Sequence, residues 1–282
     1  MKKNISILFV IVSIVMISTT AFSQGAYIKA EGGYGFNMAS VSYGSNYTST
    51  GTSSTSEEIH GSLGKGVNFG ASFGVMFNEN IGAELGVSYL LGSALKYKDS
   101  YIWGTYEGSA KGRMLRISPS LVITGGLEGV KPYARFGFVL GVGSKILTED
   151  IDRDISGDVD IMKWEYTGGI ATGFSGAAGV NFSLSRSFTL FLEANLISMS
   201  YAPKKGVMTE NSYNGVDQLS GLTASQKEVE YVKEYTIDWS NPPPDSQPQK
   251  ALKFYFPFSS AGLTLGLTIR FNKSGKEEIL VD

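Results

Sequence analysis

The chain contains no cysteine and only one histidine among its 282 residues. Without cysteine it can form no disulfide, no thiolate metal site and no thiol nucleophile. It also cannot carry a lipoprotein anchor, which needs a cysteine at the cleavage point. Charged residues make up only 18% of the chain. The basic residues form no stripe, so the sequence does not indicate a nucleic-acid partner.

Long apolar runs are also absent beyond the N-terminus. There, Lys2 and Lys3 precede an apolar segment at residues 5–17, and Ala21 and Ser23 offer small side chains at the positions that a signal peptidase reads. This order predicts a secretory signal peptide at residues 1–23. The alternative is a single membrane anchor, for which the apolar segment is short and has no stop-transfer charges after it.

The remaining apolar residues alternate with polar ones. In the segment SAGLTLGLTIRF, Leu263, Leu265, Leu267 and Ile269 occupy every second position. A period of two is typical of a β-strand with two different faces. Similar patterns predict eight strands, each long enough to cross a bilayer, at about residues 26–41, 67–77, 81–96, 114–123, 132–147, 166–184, 188–201 and 253–271.

The connections between these segments alternate in length. Residues 78–80, 125–131 and 185–187 form short connections, whereas residues 44–66 and 202–250 are examples of long polar ones. Short turns on one side and long loops on the other are typical of an outer-membrane barrel. The pattern therefore predicts an all-β fold, an antiparallel up-and-down transmembrane barrel of eight strands. Ten strands is the fallback if the last long loop adds a hairpin.

Aromatic residues decide which face of the strands meets lipid. Phe77, Phe182, Phe188 and Phe271 share the apolar parity of their strands and lie at the short-turn end. They predict a periplasmic aromatic girdle. The opposite parity carries glycines and scattered charges, as suits a narrow lumen. The alternative, a soluble lipocalin-like or sandwich fold, would place the apolar face inside.

With its signal, strand pattern and last strand, the sequence resembles the small outer-membrane β-barrel proteins of the OmpA/OmpX type. Leu265, Leu267, Ile269 and Phe271 resemble the C-terminal signal that such proteins show to the barrel assembly machinery. The resemblance implies a barrel domain at residues 24–273, with a long extracellular loop at about 203–252 and a short periplasmic tail at 274–282. It also implies location in the outer membrane, with membrane lipid and lipopolysaccharide as partners.

Charged residues on the lumen parity are the first candidate site. An unpaired charge in a narrow barrel is costly, so we expect a network of ion pairs that closes the lumen. The alternative is a gate or a small conduit. The network would comprise Lys29, Glu31, Glu84, Arg116, Arg135, Glu193 and Arg270.

Other candidate sites are weaker. The single histidine, His60, sits in a loop beside Glu57 and Glu58, which does not satisfy the logic of a catalytic triad. The segment GSLGKG at residues 61–66 lacks the spacing of a phosphate loop and is interpreted as a flexible loop end. We predict no cofactor and no catalytic residue. An acidic segment is a weak calcium candidate, because the EF-hand pattern fails, and contains Asp150, Asp152, Asp154, Asp158 and Asp160.

The sequence leaves two classes of function open. The first is a non-enzymatic structural or surface-interaction protein whose extracellular loops carry the contacts, since loops on rigid scaffolds carry binding groups. Trp103, Trp164 and Trp239 are aromatic candidates for such contacts. The second class is a small passive pore, and a lipid-modifying enzyme is a distant third. No extracellular ligand can be named from the sequence.

Overall fold

The computed structural model describes residues 25–38, 42–125, 129–185, 187–237, 240 and 242–271. The predicted signal peptide and periplasmic tail lie outside these residues. The described strands are β1 (Ala26–Asn37), β2 (Ser42–Ser49), β3 (Ser54–His60), β4 (Gly66–Met76), β5 (Ile81–Gly92), β6 (Leu95–Tyr101), β7 (Gly104–Thr124), β8 (Val130–Asp154), β9 (Val159–Thr167), β10 (Ala171–Ser183), β11 (Phe188–Tyr201), β12 (Lys205–Tyr213), β13 (Val216–Asp217), β14 (Glu228–Val232), β15 (Gln249–Leu252), β16 (Phe256–Pro257) and β17 (Ser260–Phe271). A 3₁₀ turn (Leu219–Gly221) and an α-helical turn, α1 (Ala224–Lys227), lie between β13 and β14. In these ranges no helix is long and apolar enough to cross a membrane.

Eight of the strands form a closed ring. Each of β1, β4, β5, β7, β8, β10, β11 and β17 pairs antiparallel with the next. The last strand then returns to the first, with Ala26 opposite Phe271 and Asn37 opposite Ser260. Closure leaves no free edge in the wall. The predicted antiparallel eight-stranded barrel is confirmed, and the ten-stranded fallback is not needed.

The apolar face of the wall points outward. Along β17, Leu263 and Leu265 are each about half exposed, whereas Thr264 and Thr268 are buried. The same pattern holds on β4, where Phe69 and Phe73 are exposed and Ser72 is buried. A continuous exposed apolar surface of this kind marks contact with lipid or protein. The outward position of the apolar face agrees with the prediction from the parity of the aromatic residues and of the lumen charges.

The narrow lumen requires small residues on its inner face. At Gly266, an added Cβ would lie 2.2 Å from the Ala30 carbonyl oxygen and 2.6 Å from the Phe191 ring. Any larger residue would displace the aromatic side chain or the neighbouring strand. Glycine at this position lets the ring of Phe191, its partner on the neighbouring strand β11, lie fully buried over β17.

The strands extend well beyond the ring, which the sequence did not predict. β7 has 21 residues and β8 has 25, whereas the alternation predicted only residues 114–123 and 132–147. The added segments are polar on both faces, so the apolar period that marks a half-buried strand is lost there. We call β6, β9 and β12, together with residues 104–113 of β7 and 145–154 of β8, the distal sheet.

The predicted sixth strand is also divided. Residues 166–184 were expected to form one strand, but Tyr166 belongs to β9 and the wall strand β10 begins at Ala171. Gly168 and Gly169 lie between them with φ of +79° and +82°. Only glycine adopts this backbone region readily, and two such residues end the ladder and turn the chain from the distal sheet into the wall.

We expect a charge on the outward face of β17 to destabilise the barrel. Leu265→Lys places an ammonium group near the middle of the apolar face, where lysine costs about 2–4 kcal/mol in lipid. Urea unfolding of the protein reconstituted in lipid vesicles measures this loss. The control is Val216→Lys, at an exposed position outside the ring, which should change the stability little. Equal effects of the two variants would contradict a lipid-facing Leu265.

Candidate functional site

Four of the predicted lumen charges form one connected layer of ion pairs. Arg135 Nη1 lies 2.8 Å from Glu84 Oε1, and its Nη2 lies 2.6 Å from Glu193 Oε1. Lys29 Nζ lies 3.4 Å from Glu84 Oε2. Lys29, Glu84 and Glu193 are each more than nine-tenths buried. Two bases and two acids therefore balance one another in the middle of the lumen, as buried charges require.

Aromatic side chains complete this layer. The Tyr27 hydroxyl donates to Glu84 Oε2 at 3.0 Å, and the Tyr133 hydroxyl donates to Glu193 Oε2 at 2.9 Å. Lys29 Nζ also lies 4.2 Å from the centroid of the Phe191 ring, within the range of a cation–π contact. These three aromatic residues were not predicted from the sequence. Their parity was the available signal, because each lies two residues from a lumen charge on the same strand.

The other three predicted charges form no ion pair within the described ranges, although Glu31 lines the same cavity as Arg135 and Glu193. Arg116 is the largest of the fully buried side chains, and its Nη1 donates to Asn68 Oδ1 at 2.9 Å. Arg116 and Glu31 line a cavity of about 70 Å³, where Arg116 Nε and Nη2 and Glu31 Oε2 have no protein partner. Arg270 lines a cavity of about 440 Å³ beside Lys29 and Phe271, at the short-turn end.

An apolar plug closes the lumen above the ion-pair layer. Its members are buried and converge from the wall and from two of the long connections: Leu63, Leu90, Leu95, Ala110, Met114, Val139, Ile146, Ala171, Met199, Tyr201 and Phe258. The plug segments hold one another through the Leu63 amide, which donates to the Pro257 carbonyl at 2.9 Å, and the Phe258 amide, which donates to the Met199 carbonyl at 2.9 Å.

This plug corrects the interpretation of GSLGKG as a flexible loop end. Residues 61–64 are buried, and Ser62 Oγ donates to the Pro257 carbonyl while also accepting from the Gly64 amide. Leu63 is the reason, because its side chain is fully enclosed among apolar neighbours. The local sequence carried no sign of this, since the contacts join segments that are 195 residues apart.

The distal sheet rises from the wall at the end closed by the plug, and its outer face carries paired charges. Glu107 accepts from Lys98 at 2.7 Å and from Arg153 at 3.1 Å. Lys163 in turn lies 3.1 Å from Glu149 and 2.8 Å from Glu210, and Lys145 lies 2.7 Å from Glu165. These pairs cross neighbouring strands, so they support the register of a sheet that has little apolar core.

The acidic segment folds into the end of this sheet. Asp158 accepts from the Tyr213 hydroxyl and from Asn214 Nδ2, each at 2.7 Å, and these bonds hold the pKa of its carboxyl below the usual range. Asp154 accepts from Ser156 and from the Asp158 amide. Both carboxylates are therefore used within their own turn. In the part of the chain that the structure describes, no three acidic or histidine side chains could together hold a metal ion.

The other predicted groups are placed as follows. His60 lies at the end of strand β3 and not in a loop, and its Nε2 lies 3.8 Å from Glu58 Oε2 with both side chains about half exposed.

The predicted girdle residues all point outward and are between 40% and 51% exposed: Phe77, Phe182, Phe188 and Phe271. Their contact with the membrane interface stays a prediction.

Comparison with known proteins agrees with this architecture. The family model for the outer membrane protein beta-barrel domain matches residues 8–225. The chain belongs to the outer membrane β-barrel domain family. Like the family, it is an outer-membrane protein that crosses the membrane with β-strands.

Among solved structures, this barrel is similar to Ail, the attachment invasion locus protein of Yersinia pestis. The two share 10% sequence identity and a TM-score of 0.35, and the match covers 88% of this chain and 99% of Ail. No curated protein is significantly similar to the chain in sequence.

We expect the ion-pair layer to contribute strongly to stability. Glu84→Gln leaves Arg135 and Lys29 without their shared carboxylate, and breaking a buried ion pair costs about 3–5 kcal/mol. Urea unfolding in vesicles measures the loss. The matched control is Glu107→Gln, which also removes a carboxylate shared by two bases, but on the exposed distal sheet. If both substitutions have the same small effect, water reaches the lumen charges and the layer is not a seal.

Proposed function

We propose that this barrel is a non-enzymatic surface-interaction protein that binds through its distal sheet, while its lumen stays closed. The observation that carries the proposal is the contrast between the two ends of the wall. The lumen is blocked by an ion-pair layer and by an apolar plug, whereas β7 and β8 continue beyond the plug into solvent. The large sheet outside the membrane supports a role in contact with other molecules.

The end of the distal sheet presents large apolar side chains to solvent. Trp103 is 71% exposed and Ile155 is 77% exposed, and the Ile155 amide donates to the Trp103 carbonyl at 2.7 Å. This bond ties the turn after β6 to the turn after β8. With a rise of about 3.3 Å per residue, residues 104–113 hold this tip about 30 Å from the ring. A firmly held aromatic group is a typical anchor of an interface. Trp239 lies outside the described residues.

The pore alternative has less support. A conduit needs a continuous polar path, but the plug places Met114, Val139 and Phe258 across the lumen, each almost inaccessible to solvent. An enzymatic role also has little support, because the ionic partner of His60 within the described residues is Glu58, at 3.8 Å, and both side chains are about half exposed. In the acidic turn, the Ser156 hydroxyl donates to Asp154 and Asp158, but the same carboxylates also accept from the Asp158 amide and from Asn214, so they serve to fix the turn.

We therefore expect no steady ion current through the protein in planar bilayers. The purified wild-type protein should be electrically silent at neutral pH, and Phe258→Ala should remain silent because the ion-pair layer still closes the lumen. A reproducible open current from the wild-type protein would show that the pore alternative is right.

Adhesion of bacteria that display the protein tests the surface role. Trp103→Ala combined with Ile155→Ser should reduce attachment to cultured cells or matrix-coated plates at least severalfold, because the exposed anchors are lost. The control is Leu184→Ser, which changes a similarly exposed apolar residue at the short-turn end of the barrel. Heat-modifiable migration on a gel verifies that each variant folds. Unchanged attachment of the folded double variant would contradict the proposal.

A further inference from the structure

The two faces of the distal sheet differ sharply in charge. Neighbouring residues of a strand point to opposite faces, and the register of β6, β7, β8 and β9 aligns the side chains into rows. One face continues the lumen side of the wall, because Ile146 and Tyr166 pair on it and Ile146 belongs to the plug. We call this the lumen-side face, and the opposite one the outer face.

One row of the lumen-side face is acidic. Asp99 pairs with Tyr106, Tyr106 pairs with Asp152, and Asp152 pairs with Asp160. Asp150 lies in the next row, opposite Gly108 and Met162. No lysine or arginine of β6 to β9 shares this face, because the alternation places Lys98, Arg153 and Lys163 on the outer face, where each has an acidic partner.

This arrangement carries a cost within the free protein. Like charges directly opposite on neighbouring strands destabilise a sheet, and Asp152 and Asp160 are such a pair. Moreover, Asp160 Oδ1 is buried without a hydrogen-bond partner. Asp99 and Asp150 are partly satisfied, by the Tyr47 amide at 2.9 Å and the Tyr97 hydroxyl at 2.7 Å. The remaining acidic oxygens lack the cationic partners that the outer face has.

Aromatic rings surround the acidic row. Tyr97 and Tyr106 have ring centroids 5.9 Å apart, and Tyr47 and Tyr101 have centroids 5.3 Å apart. Further down the same face, Trp164 stacks on Tyr166. Carboxylates receive the hydrogen bonds of a guanidinium or ammonium group, and neighbouring ring faces attract the same cations. Acids and rings together suit lysine and arginine side chains, and they give no three-ligand arrangement for a bare metal ion within the described residues.

We propose that the lumen-side face of the distal sheet is a docking surface for a basic peptide segment of a protein partner. Asp152 and Asp160 take an arginine or lysine side chain between them, and Tyr106 packs against its charged group. This rests on the proposed surface role, since it gives the chemistry of the partner for the same extracellular sheet. Charge complementarity identifies the occupant, because strands β6 to β9 offer acids and rings in rows on this face without a base.

A peptide titration tests the assignment. The full-length protein, folded in zwitterionic detergent micelles without lipopolysaccharide, is titrated with a ten-residue peptide of alternating arginine and glycine, and binding is followed by calorimetry. The expected result is binding that weakens as salt rises from 50 to 300 mM, on the order of the screening of exposed charges. A peptide of alternating glutamate and glycine should not bind. Equal affinity for both peptides would overturn the proposal.

Two double variants distinguish binding to a specific docking surface from attraction by the net charge of the protein. Asp152→Asn with Asp160→Asn should weaken binding of the basic peptide at least tenfold. Glu149→Gln with Glu210→Gln removes the same charge from the outer face and should change binding less than twofold. Equal weakening by both would show attraction by overall charge alone and would overturn the docking surface.

The stability of the protein against urea tests the role of Asp152 and Asp160 independently of peptide binding. Because the two carboxylates repel each other, Asp152→Asn with Asp160→Asn should leave the urea midpoint unchanged or raise it. A lowered midpoint would assign the pair a structural role and overturn its assignment to a ligand. If the basic peptide does not bind, but Trp103→Ala with Ile155→Ser still reduces adhesion, only the proposed chemistry of the partner is rejected. Unchanged adhesion of that tip variant would reject the surface role itself.

Discussion

Closure of eight strands into a narrow ring is the constraint on which the rest of the structure depends. Inward side chains from opposite walls meet one another, so each must be small, paired or apolar. Gly266 is small and lies beneath Phe191. The charges of Lys29, Glu84, Arg135 and Glu193 are paired, and the plug around Phe258 is apolar. The ion-pair layer and the plug therefore block a continuous path through the barrel, and the cavity of about 440 Å³ beside Lys29 lies at the short-turn end.

The strands of the wall could be predicted from the sequence because the pattern that marks each strand lies within a short segment of the chain. Alternation along a strand is set by neighbouring residues, so parity separates the face of Leu265 from the face of Glu193. The aromatic residues at the short-turn end then indicate which face is outward. The partners of the lumen charges could not be predicted in the same way. Parity places Arg116 and Arg135 equally inside, but the three-dimensional register brings only Arg135 to two carboxylates and leaves Arg116 with Asn68.

The plug and the distal sheet were missed for different reasons. The plug depends on contacts between Leu63 and residues near Phe258, which are distant in sequence and embedded in polar connections. The distal sheet lacks the apolar alternation of a half-buried strand, since its outer face is held by ion pairs such as those of Lys163. Single exposed pairs contribute little. The ladder between β7 and β8 continues from the wall into the distal sheet through a register shift between Arg113 and Leu115, and the ion pairs support the register beyond that shift.

Extending a wall strand beyond the membrane keeps its two faces distinct. Within the membrane, the outer face must be apolar, whereas beyond it both faces meet water and either can carry charge. In this protein the outer face carries acids and bases that satisfy one another. The lumen-side face carries acids alone, beside tyrosines. Because Asp152 and Arg153 are neighbours in sequence but lie on opposite faces, the base cannot neutralise the acid without leaving Glu107. The pleat of the strand thus keeps Asp152 apart from the bases of the outer face, which is the condition for the proposed docking of a basic peptide.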